Sequence, residues 1–236
     1  MVRKAFYTDT GGRAVNEDSV RIRERGGALI CVVADGLGGQ GGGDAASGAA
    51  ATLIADEWDG SVSPAALAGL FERAHRKIKS MQTPRLEMMS TAVALVLSPR
   101  QAAWAHAGDS RLYIFRNGQL VVQTRDHSAS QIAVLLGQIT PEEIRFHSDR
   151  ATVLRALGQD GELKTELGSA QLDAGHYAFL LCTDGFWEYV LEREMAETLA
   201  RSQSPDDWLA DMRALLRTRV PADNDNNTAA AVWLDI

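Results

Sequence analysis

The chain has few cysteines, no long apolar run and no excess of positive charge, and each shortage excludes a class of protein. Cys31 and Cys182 lie inside the apolar runs "ALICVVADG" and "YAFLLCTDG". Neither run holds a His, Asp or Glu ahead of its closing Asp-Gly, so the base that a thiol nucleophile needs is missing. Both cysteines read as small buried hydrophobes. No stretch approaches the roughly 18 apolar residues of a membrane helix. The start, "MVRKAFYTDTGG", has one apolar triplet in place of a signal-peptide core. A soluble, cytoplasmic chain that does not enter a membrane, or the soluble part of something larger, is expected. Lys and Arg number 24 against 31 Asp and Glu, giving a net charge of −7. The basic residues are scattered, which argues against a nucleic-acid partner, since duplex binding needs clustered cations to neutralise phosphates. No repeat of fixed period and no low-complexity tract divides the 236 residues, of which 45% are apolar. One domain over residues 1–236 is expected.

Short β-like runs are present throughout: Ala28 to Ala34, Ala92 to Leu97, Ala102 to Ala107, Arg111 to Phe115, Leu120 to Thr124, Tyr177 to Thr183 and Thr228 to Asp235. Asn117-Gly118 between two of them is a two-residue hairpin signal, so the strands are expected to be antiparallel. Ser63-Pro64 and Ser204-Pro205 each supply an N-cap and a first-turn proline ahead of apolar residues at helical spacing. A further helix is expected from about Asp44 to Trp58. Helices in pairs between groups of strands give an α+β chain. Residues 126–161 are polar and mixed in signal, and read as an inserted, flap-like segment with one or two short helices. Thr140-Pro141-Glu142-Glu143 marks one helix start.

From Gly36 the letters "GLGGQG" match the dinucleotide fingerprint G-x-G-x-x-G. That site also needs a second strand ending in an acid about 20 residues on. Here "GSVSPAALAGLFERAHRKIKSM" follows instead, a second helix, and no Gly-Lys-Ser or Gly-Lys-Thr provides a P-loop. Asp35, directly ahead of the first glycine, would repel a pyrophosphate.

Asp35 has echoes elsewhere. Apolar strands end in Asp35-Gly36, Asp184-Gly185 and Gly108-Asp109-Ser110, beside "NED" at Asn16 to Asp18 and "DNDNNT" at Asp223 to Thr228. Singly, an Asp-Gly is a plain turn, "NED" a helix cap and "DNDNN" a solvated loop. Together they are a set of carboxylates that would raise one another's pKa unless cations intervened. Oxygen ligands without His or Cys suit Mg2+ or Mn2+ better than zinc or copper.

In order and spacing, "RAVNED", "VVADGLGGQGGGDAAS", "AHAGDSRLYIFRNGQL", "TRDHS", "RALG", "LLCTDGFWE" and "DNNT" resemble the bacterial form of the metal-dependent serine/threonine protein phosphatases of the protein phosphatase 2C type. The resemblance implies a four-layer α-β-β-α sandwich, with two antiparallel sheets flanked by pairs of helices and a binuclear Mn2+ or Mg2+ site at one end. Position by position, it makes Asp35 the carboxylate bridging two ions and Gly36 a backbone-carbonyl ligand. Asp184 and Asp225 become further ligands, and Asp18 an acid binding directly or through water. Asp109 helps to hold a third, looser ion, and Arg13 binds the substrate phosphate. Asp18, Asp35, Asp184 and Asp225 carry four negative charges, which two divalent cations balance. The implied activity is hydrolysis of phosphoserine and phosphothreonine in proteins by metal-activated water, with no phosphoenzyme, by a monomer that reverses a bacterial Ser/Thr kinase. Leu37 stands where animal relatives carry a general-acid His, and Ser90 where glycine is usual. His106 and His127 read first as core or hydrogen-bonded residues and second as proton donors. Two other readings stand beside this one: a phosphatase of a small anti-sigma antagonist, and a metal-free binding module. The intact carboxylate set speaks against the module.

Overall fold

The computed structural model describes residues 2–38 and 41–236. Gly39 and Gln40 of the glycine-rich stretch lie outside the described residues. The elements run β1 (Val2–Asp9), β2 (Asp18–Arg25), β3 (Ala28–Leu37), α1 (Gly43–Asp56), α2 (Pro64–Met81), the two-residue β4 (Met89–Ser90), β5 (Ala92–Ser98), β6 (Gln101–Ala107), β7 (Arg111–Arg116) and β8 (Gln119–Gln123). They continue with α3 (Ala129–Leu135), a 3-10 turn (Pro141–Phe146), β9 (Glu166–Gln171), β10 (His176–Cys182), α4 (Asp184–Trp187), α5 (Glu192–Arg201), α6 (Pro205–Arg217) and β11 (Asn227–Asp235).

Two sheets form, in the orders β1-β11-β10-β7-β8 and β2-β3-β5-β6-β9, with β4 pairing onto β3. Strand pairing is antiparallel throughout the ladders. Alternation along β3 explains the layering. Leu29, Cys31 and Val33 pack with Leu112, Ile114, Phe179, Leu181 and Val232 between the sheets. Ile30, Val32 and Ala34 face the other way, onto Ala46, Ala50 and Ile54 of α1 and Leu67, Phe71 and Ile78 of α2. With both faces covered, the strand is a continuous apolar run. On the far side, Phe115, Leu180 and Ala231 meet Met195, Leu199, Trp208 and Met212 of α5 and α6. Three apolar interfaces therefore separate four layers, α-β-β-α.

The observed strands contain the expected ones with ends shifted by a few residues. The first helix starts at Gly43 and stops at Asp56, short of Trp58. Trp58 folds beneath it, buried, with its indole Nε1 donating to Ser61 O at 2.8 Å. Strands β1, β2 and β9 had no clear signal because they are sheet edges, half-exposed and rich in polar or charged residues. Helix α5, "EREMAETLAR", buries only Met195, Thr198 and Leu199.

Within residues 126–161, α3 is capped by Ser128, whose Oγ accepts from Gln131 N, and Thr140 N donates to Glu143 Oε2. The segment is anchored where Ser128 pairs with Val153 and Ser90 with Leu157, and where Arg150 Nε meets Glu188 Oε1 at 3.0 Å. Among the described residues, no helix is long and apolar enough to cross a membrane.

Candidate metal centre

The carboxylates meet at one end of the two sheets, and strand register places them. Asp18 opens β2 directly opposite Asp35 near the end of β3. β10 ends at Cys182, and Thr183 leads the chain into α4 at Asp184. Thr183 N donates to Thr228 O of β11, and Thr228 N to Thr183 Oγ1, which fixes Asp225, just ahead of β11, beside Asp184. Asp109 lies in the crossover from β6 to β7, where the chain passes between sheets.

Asp18 and Asp109 are buried, at 8% and 3% exposure; Asp35 and Asp184 are partly open, and Asp225 is exposed. Burial pushes Asp18 up to about 7, and repulsion from Asp184 and Asp225 adds to it, against hydrogen bonds from Thr228 and Thr183. Asp35 is held well above the usual carboxylate range by burial and by the charges of Asp184, Asp18 and Asp109. Asp109 is raised by burial and by Asp184. Asp184 is raised by burial and by Asp225, opposed by a hydrogen bond with Asp35. Such a set is unstable without positive charge among it.

Two observations fit divalent cations among these carboxylates. Asp18 Oδ2 accepts from Thr183 Oγ1 at 2.9 Å, while Oδ1 is buried with no partner among the described residues, a cost that a cation removes. The converging donors are oxygens, as hard ions require. Backbone also crowds the site: a Cβ on Gly36 would come within 2.1 Å of Gly43 O, and one on Gly185 within 2.0 Å of Asn226 O. Gly36 is thus wedged between the Gly43 and Glu17 backbones, its N–H donating to Glu17 O.

Arg13 is exposed at the rim. Its Nε and Nη2 reach Asp225 Oδ1 and Oδ2, each at 3.1 Å. Two of the five guanidinium donors are used, leaving three for an anion.

The structure brings together every expected site residue: Asp18, Asp35, Gly36, Asp109, Asp184, Asp225 and, at the edge, Arg13. It adds others. Asn226 ties the Thr10–Glu17 loop to the site, with Nδ2 donating to Thr10 O and Val15 O and Oδ1 accepting from Glu17 N; its signal was its place in the Asp-Asn-Asn run. Ser90 Oγ lies 2.9 Å from Asp35 O, so the hydroxyl holds the backbone of that carboxylate. Glu188, one turn beyond Asp184, is pushed up to about 7 by burial and by Asp184. His106 and His127 stack with ring centroids 4.6 Å apart. Burial lowers both, His127 to about 4, so at neutral pH neither holds the extra proton of a general acid.

Residues 11–224 match the family model for protein phosphatase 2C. The chain is 34% identical over 206 residues to the serine/threonine protein phosphatase PstP of Mycobacterium tuberculosis, covering 84% of this chain and 39% of that relative. It thus spans about two fifths of the mycobacterial protein's length. It is 31% identical over 206 residues to the serine/threonine phosphatase stp of Listeria monocytogenes, with 82% and 81% of the two chains covered. The crystal structure of the catalytic domain of PstP, in complex with two manganese ions, superposes with a TM-score of 0.83 at 30% identity over 99% of both chains.

Proposed function

The chain belongs to the protein phosphatase 2C family, and on that premise we propose that it is a protein serine/threonine phosphatase working through a pair of Mn2+ or Mg2+ ions. The observation that carries this reading is the convergence of Asp18, Asp35, Asp184 and Asp225 at one end of both sheets, with Asp18 Oδ1 buried and unpaired. Those four carboxylates and the Gly36 carbonyl would hold the two ions. Asp109 would hold a third, looser one. Bound there, the ions supply Lewis-acid activation of water and charge stabilisation for the phosphoryl group.

The chain's own groups do the rest. Arg13 offers its three free donors to the phosphate dianion while its bond to Asp225 fixes the guanidinium plane. Asn226 holds the Arg13 loop in place. Cys31 and Cys182 are fully buried and their thiols are held high by burial, Cys31 at about 12, so direct attack by water is the reaction supported, without a cysteine nucleophile. The substrate is a phosphoprotein, and the opposing enzyme a bacterial Ser/Thr kinase; the phosphatase acts as a cytoplasmic monomer, without nucleic acid or membrane. Residues 126–161 form the flap-like insertion beside the site. The test is hydrolysis of p-nitrophenyl phosphate with Mn2+: activity in the wild-type chain and none in Asp184→Asn supports the proposal, and full activity in Asp184→Asn refutes the metal assignment.

A further inference from the structure

The turn that carries Asp109 is gripped by a residue outside the carboxylate cluster. Gly108 adopts φ +110°, and a Cβ there would fall 2.5 Å from the Thr91 side chain, so only glycine fits this turn, and its neighbours grip its peptide. His127 does so twice. Its backbone N–H donates to Gly108 O at 3.0 Å, and its Nδ1 accepts from Gly108 N at 3.1 Å. A ring nitrogen that accepts is unprotonated, so the His127 proton sits on Nε2, where Glu166 Oε2 lies 3.3 Å away. Beyond Gly108, Trp187 Nε1 donates to Asp109 O at 3.0 Å, and Ser110 Oγ meets Thr91 Oγ1 at 2.7 Å. Of these three grips, only that of His127 depends on a tautomer.

We propose that His127 is a positioning residue for Asp109, with Glu166 fixing the tautomer that lets Nδ1 accept from Gly108. The inference rests on the reading of Asp109 as ligand of the looser third ion. The same three side chains, His106, His127 and Glu166, bring ligand atoms within 4.8 Å of one another. They are not a second metal site as they stand: the rings are stacked with planes 2° apart, so no single ion lies in the plane of both, and Nδ1 of His127 is already engaged. The arrangement is that of an outer-shell orienting pair, whose loss typically weakens metal affinity about 10- to 100-fold.

The test compares Mn2+ binding by isothermal titration calorimetry and the Mn2+ dependence of phosphopeptide hydrolysis in four variants, with melting temperature as a fold control. Asp109→Asn is the reference. His127→Phe keeps the stacking ring and loses the acceptor, whereas His127→Asn loses the ring but keeps an oxygen near the position of Nδ1. Glu166→Leu alters a half-exposed edge-strand residue, so it threatens folding least. The expected result is that His127→Phe reproduces the Asp109→Asn loss in the weaker Mn2+ phase, about tenfold or more, with the tighter phase intact. His127→Asn stays within about threefold of wild type, and Glu166→Leu falls between. A wild-type Mn2+ curve in both His127→Phe and Glu166→Leu overturns the inference, as does a loss in His127→Asn equal to that in His127→Phe. An unchanged curve in Asp109→Asn instead removes the assignment of Asp109 and the inference with it. If His127→Phe does not fold, Glu166→Leu decides alone.

Discussion

Asp18 and Asp35 face each other in register across β2 and β3, a pairing of like charges directly opposite that a sheet does not tolerate unaided. Removing cations should therefore destabilise the fold. Mn2+ is expected to raise the melting temperature and EDTA to reverse it, measured by calorimetry. An unchanged transition would mean that the carboxylates hold no ion.

The same repulsion fixes a pH dependence for the metal-free chain. Asp18 stands at about 7 in the folded state against 3.8 for the ordinary side chain, so the folded state binds the extra proton. Its penalty is absent below about 3.8, grows as pH rises towards 7 and is complete above that. Asp18→Asn should accordingly gain most over wild type at pH 8 and least at pH 4 in urea denaturation with EDTA present. A pH-independent difference would contradict the shift.

Arg13 has no buried role, being exposed and, among the described residues, bound to no side chain but Asp225. Arg13→Ala should lower kcat/KM for a phosphothreonine peptide about 10- to 100-fold, the worth of a charged hydrogen-bond pair, and leave Mn2+ binding within a small factor. Equal losses of both would mark it as a support for Asp225 instead of a phosphate ligand.

Arg111 and Asp126 form a buried pair, Nε and Nη2 each 2.7 Å from a carboxylate oxygen, with the guanidinium 3.4 Å above the Trp187 ring. Asp126→Ala leaves that cation uncompensated and should cost about 3–5 kcal/mol, read as a lower urea midpoint. A cost under about 1 kcal/mol would show that Glu192, 3.6 Å from Nη1, takes over.

The buried strands were legible because both faces of β3, β5 and β10 are covered, which makes them apolar runs; of the edges, β8 showed through its Asn117-Gly118 turn and its Leu-Val-Val run, whereas β1, β2 and β9 carry charged and polar residues that break the apolar signal. The carboxylates were legible for the opposite reason: Asp35 and Asp184 interrupt apolar runs where only a cation makes acid tolerable. What holds them was not. The Asn226 staple, the Ser90 hydroxyl on Asp35 O and the His127 grip on Gly108 all join residues distant in the chain, and their side-chain types serve equally well in any solvated loop.

The dependence of hydrolysis on metal is read from phosphate release from a phosphothreonine peptide by the chain stripped with EDTA and then titrated with Mn2+. The expected result is no release from the stripped chain, recovery as Mn2+ is added, and no recovery at any Mn2+ concentration in Asp35→Asn. Full activity without metal, or an Asp35→Asn curve matching wild type, would contradict it.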